Sequence, residues 1–188
     1  MRQPQLAAIV TQFELAQERM HDLVADTPEE RWSVRADPAR WSVAECVAHL
    51  NLTAQAYVPM LRDAFSDERF AGVEAPRRYH RDFMGWIISV TAGPLPRLGG
   101  RRFGRVKTIP AFVPGGDLDR ATTVAEFDRL QLELIALVEE AEGLPLEQMR
   151  IVSPFNSRIS YNAYSCLVIL PRHEQRHLWQ AEHVWDAH

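Results

Sequence analysis

His173 and His177 stand four residues apart in the run His173-Glu174-Gln175-Arg176-His177. On a helix this spacing stacks both imidazoles on one face, with Cβ atoms about 6 Å apart, a ready two-point chelate for a divalent cation. Leu170 and Ala181 share that face, so the pair looks into a helical core. Spacing alone fits two hydrogen-bonded core histidines equally well. The same run matches the H-E-x-x-H pattern of zinc proteases, and His183 follows as it does in the longer metzincin motif. That motif needs a glycine to break the helix where this chain has Gln180. With the helix intact, His183 is rotated about 240° from His177 and faces away from any shared ion. The protease reading is therefore set aside.

His49 is the third candidate ligand. It follows Trp41-Ser42-Val43-Ala44-Glu45-Cys46-Val47-Ala48, with Cys46 three residues before it and Thr53 four after, at the border of an apolar stripe. One histidine from this helix and two from the last could meet in a bundle core, where metal sites are commonly built. A boundary histidine bonded to a neighbouring helix is the plainer alternative. Glu174 is either a general base or a carboxylate on the surface or behind the ligands. Arg172 and Arg176 offer cations to an acidic cosubstrate or to helix-surface salt bridges. Tyr57, Asn156, Tyr161 and Asn162 suit pocket lining or, more ordinarily, packing and capping. Trp41 and Trp179 are expected to pack near the site. Cys46 and Cys166 are spare thiolates or, as buried cysteines usually are, small hydrophobes. His21, His80 and His188 have no partner pattern and are expected to face solvent.

Four helices must position these groups. The first carries Leu6, Ile9/Val10, Phe13, Met20 and Leu23/Val24 and stops near Asp26-Thr27-Pro28. The second opens at Ser42 with Glu45 three residues on, a capping box, and continues through Val47, Leu50, Ala54, Val58 and Leu61, with a kink expected at Pro59. The third, after Asp117–Thr123, uses Phe127, Leu130, Leu134 and Leu137/Val138 and is closed by Gly143 and Pro145. The fourth runs from about Ser160 to Trp185, with a kink expected at Pro171. No convincing alternating strand is readable. The long connection 67–122 is rich in Gly and Pro, is basic around Arg97–Lys107, and holds a partial helix at about 79–92. The expected fold is all-α, a four-helix bundle in one domain over 1–188 with an irregular crossover between helices two and three.

The chain has 188 residues, 46% hydrophobic and 24% charged, with 21 Lys plus Arg against 25 Asp plus Glu and a net charge of −4. That is one globular domain with no broad basic field for nucleic acid. No apolar run nears the roughly 20 residues that span a bilayer, and the opening residues do not read as a signal peptide. Two cysteines 120 positions apart make no disulfide framework, which points to the cytoplasm.

The block Trp41–Leu50 combined with His173-Glu174-Gln175-Arg176-His177-Leu178-Trp179-Gln180 resembles the DinB-like superfamily, also called YfiT-like metalloenzymes. Ser153-Pro154-Phe155-Asn156 and Tyr161-Asn162-Ala163-Tyr164 add to the likeness, which covers nearly the whole chain. The resemblance implies a bundle with up-down-down-up topology, usually dimeric, and a metal triad at His49, His173 and His177. It implies a divalent ion, zinc or nickel foremost, with iron or manganese also suited. Three imidazoles leave a coordination position open, as in catalytic sites. Relatives of this kind include thiol-dependent transferases and isomerases that use bacillithiol or mycothiol. The expectation is thus a metal-dependent enzyme acting on a small molecule with a thiol cosubstrate, with a hydrolase or a non-catalytic metal-binding stress protein as alternatives.

Overall fold

Ser42 starts the helix that carries His49. Its side chain accepts from the Glu45 N–H while Glu45 accepts from the Ser42 N–H, so the capping box closes. The computed structural model describes residues 3–93 and 108–186. The basic run Arg97–Lys107 and His188 fall outside the described residues. Four long helices are present: α1 (Pro4–Asp26), α2 (Val43–Phe65), α4 (Arg120–Glu140) and α5 (Ala163–Glu182), with a short α3 (Phe83–Ala92) in the connection. Each follows the apolar period expected for it, and a polar side chain caps each start: Gln3, Ser42, Asp82, Asp119 and Asn162. Pro59 and Pro171 lie inside α2 and α5, which run on through both.

Two expectations need correcting. The chain does form strands: β1 (Arg150–Val152) and β2 (Ser160–Asn162) pair antiparallel, Ile151 opposite Tyr161. The last helix accordingly starts at Ala163, because Ser160–Asn162 is committed to the ladder and Asn162 turns its side chain to cap Ser165. Three-residue strands are too short to show alternation.

α1 and α2 each pack on α4 and α5, and α3 packs on α5. The last contact is very close. A Cβ on Gly85 would fall on the Ser165 hydroxyl and Cβ and lie 2.6 Å from Asp82 Oδ1. Gly85→Ala is therefore expected to cost about 1–3 kcal/mol by overpacking, read as a lowered melting temperature. Removing only the Ser165 hydroxyl should not rescue it, because the Ser165 Cβ still clashes.

The core is divided. One apolar cluster holds Leu6–Phe13 of α1, Ala54–Leu61 of α2, Leu130–Val138 of α4 and Ala163–Leu170 of α5. The other holds Ala16–Leu23, Val43–Leu50, Phe127 and Leu178–Val184, with Trp32. Between them lies a buried polar layer of His49, Asn51, Thr53, Gln131 and Glu174. His173 and His177 sit at the same level of α5.

Candidate metal centre

Two turns of α2 beyond its capping box bring His49 to the polar layer, where it is 2% exposed. Its Nδ1 donates to the Phe112 carbonyl at 2.8 Å, which fixes the tautomer and leaves Nε2 as a lone pair. Phe112 belongs to a turn of 3-10 helix (Pro110–Phe112) in the long connection, so the crossover does reach the site. His173 and His177 come from one face of α5. His173 Nε2 lies 3.4 Å from His49 Nε2, and one ring nitrogen from each of the three histidines falls within 4.8 Å of the others.

This donor set fits a divalent cation. Two nitrogens each about 2.1 Å from a tetrahedral ion would stand about 3.4 Å apart, the spacing observed between His49 and His173. Among the described residues, Nδ1 of His173 and of His177 is buried with no hydrogen-bond partner; an ion held at His173 Nε2 would leave that Nδ1 as it is, so the fit rests on the spacing of the nitrogens. The Nδ1–carbonyl bond of His49 is the support that metal-bound histidines usually have. Burial also keeps the rings neutral. His173 is pushed down to about 3, with the charges of His49 and Arg176 acting the same way. His177 is driven well below its ordinary value by burial and by His173, His49 and Arg176. His49 is lowered by burial against the opposing Phe112 bond. Neutral imidazoles are the metal-binding form.

Aromatic rings surround the group. Trp41 lies 4.9 Å from the His49 centroid and 5.9 Å from that of His177. Phe155, from the β1–β2 turn, lies 6.2 Å from His49 and 6.0 Å from His173, and stacks on Phe112 at 4.1 Å. Phe112 was not legible in advance, since an irregular connection carries no periodic signal.

The other candidate residues fall elsewhere. Glu174 is not a surface carboxylate: it is 6% exposed, accepts from Gln131 Nε2 at 3.0 Å, and burial raises its pKa to about 8. It lies between Leu170 and Leu178 in the apolar stripe of α5, and that spacing was a readable sign of burial. Tyr57 and Tyr161 bond each other's hydroxyls in the core, Asn162 caps α5, and Asn156 Oδ1 accepts from the Arg158 N–H in the hairpin turn. Arg172 and Arg176 donate to the Ser89 and Thr91 carbonyls of α3. Cys46 and Cys166 are buried, and burial pushes both thiols up. His183 donates to the Trp179 carbonyl at 2.7 Å, its ring tilted against that indole at 4.3 Å. His21 pairs with Asp128 and His80 with Glu147, both largely exposed. A surface cavity of about 500 Å³ beside Phe65, Phe70 and Met149 lies at the far end of α2 and contains no histidine.

The profile of one family, the DinB superfamily, matches residues 12–181, nearly the whole chain and all three histidines. The chain belongs to the DinB superfamily. No curated protein and no solved structure matches it. Among the described residues of this DinB-like protein, no helix is long and apolar enough to cross a membrane.

Proposed function

We propose that this DinB-like chain is a metal-dependent enzyme, a transferase that activates a low-molecular-weight thiol at His49, His173 and His177. The observation that supports it is the composition of the cluster: three neutral imidazoles and, among the described residues, no carboxylate or cysteine joining them. Such a set leaves room for an exogenous ligand. A divalent cation held there, zinc or nickel foremost, would supply the Lewis acid that lowers the pKa of a thiol or of water. The chain's own residues supply the rest. Phe112 aims His49, α5 presents two nitrogens one turn apart, and the aromatic side chains keep bulk water from the reacting atom. Glu174 acts here as a positioning residue, locking α5 against Gln131 of α4. In this reading the protein is a cytoplasmic homodimer with the up-down-down-up bundle order of its family.

The protein loaded with zinc or nickel should conjugate a small thiol to monochlorobimane, and chelation should remove that activity. No metal-dependent conjugation with bacillithiol, mycothiol, glutathione or cysteine overturns the transferase reading. The divided core supports one other reading, an ion that chiefly stabilises the bundle. A large metal-induced rise in melting temperature with no turnover would select it.

A further inference from the structure

We infer that Trp41 and Phe155 are the specificity-determining walls of this site, and that the group they accept beside the reacting atom is flat, apolar and aromatic. The inference rests on the metal-centre reading above and names a substrate class for it. His49 and Phe112 are buried, whereas His173, His177, Trp41 and Phe155 each keep part of their surface open. Trp41 and Phe155 are thus the aromatic neighbours of the three histidines that keep open surface. These two meet different pairs of the histidines. Trp41 meets His49 and lies within 29° of parallel to His177, while Phe155 meets His49 and His173.

The Phe155 wall is braced. Its ring lies 4.1 Å from Phe112 at 27°, and the Phe112 carbonyl is tied to His49, so the wall and the ligand share one support. Phe155 has no polar atom to hold a charged or hydroxylated group. A planar ring entering between the walls gains stacking with the face or edge of each, a gain that a saturated ring of similar size does not match. Rings already fixed by their neighbours lose little freedom on binding.

The test uses the full chain loaded with cobalt(II) as a coloured stand-in for zinc, titrated with phenylmethanethiol, cyclohexylmethanethiol and 2-mercaptoethanol, each affinity being referred to the concentration of that thiol's own thiolate so that differences in acidity are removed. The thiolate-to-cobalt absorption reports binding without turnover. Phenylmethanethiol is expected to bind about three- to tenfold tighter than cyclohexylmethanethiol, and 2-mercaptoethanol weakest. Phe155→Leu and Trp41→Leu should each still take up one cobalt per chain and reduce the preference for the planar ring to less than about twofold. If Trp41→Leu does not fold, Phe155→Leu and the wild-type comparison decide. Equal affinity of the wild type for the two cyclic thiols overturns the inference, as does an undiminished preference in the variants. Failure of the wild type to take up cobalt overturns the metal-centre reading and this inference together; uptake without discrimination overturns this inference alone.

Discussion

His173→Ala is expected to abolish stoichiometric uptake of zinc or nickel, with a loss in affinity well beyond the roughly 10–100-fold that removal of an outer-shell partner costs. His173 is the ring whose Nε2 stands 3.4 Å from His49. Deleting it leaves two nitrogens, one on each of two helices, without the pairing along α5 that makes a chelate. His177→Ala should behave alike. His183→Ala provides the control: this histidine caps the end of the same helix, six residues beyond His177, but its Nδ1 is engaged by the Trp179 carbonyl, and uptake should be unchanged. Competition against a chromophoric chelator reads the affinities, and circular dichroism checks that the variants remain helical. Near-native affinity in His173→Ala would remove this residue from the centre.

Glu174→Gln should change the pH dependence of stability in the metal-free protein by on the order of a few kcal/mol. The folded carboxyl holds its proton to about pH 8 because it is buried, with the Gln131 bond opposing. Unfolded, it ionises near 4.5. Between those values the folded state binds the extra proton, so this group's contribution falls as pH rises and is level above about pH 8. His173 acts in the opposite sense. Folded near 3 against 6.5 unfolded, it adds stability as pH rises through that window. Comparing wild type with Glu174→Gln by urea titration at pH 5 and pH 8 subtracts the histidines. The variant should gain on the wild type at the higher pH. It should also keep thiol conjugation, since a positioning carboxyl that is neutral at pH 7 is mimicked by an amide. Lost turnover with intact metal uptake would make Glu174 a general base instead. Parallel pH profiles would show that it ionises freely in the folded chain.

What could be read in advance follows the range of the physics involved. The Ser42–Glu45 capping box and the stripes of α1, α2, α4 and α5 are local, set by spacings of three and four, and the structure reproduces them. His173 and His177 share a face for the same reason. His49 is different: no spacing relates residue 49 to residue 173, and only the family likeness tied them. The β1–β2 pair escaped because each strand is three residues long and its evidence is long-range pairing. Phe112 reaches His49 through a backbone carbonyl, a group that every residue carries, so no residue type could announce it. Glu174 was open to both a surface and a buried reading, and its register between Leu170 and Leu178 is the local sign that favours the buried one.

The polar stratum that crosses the interior has a consequence for how the molecule comes apart. Apolar contact is what makes unfolding all-or-none, and here it is interrupted where the helices pass from one cluster to the other. In metal-free protein, amide hydrogen exchange should resolve two opening units. Amides around Met20, Val47 and Leu178 should open at lower free energy than those around Phe13, Leu134 and Leu167. An ion gripped from both α2 and α5 would weld that seam, merging the two exchange regimes into one.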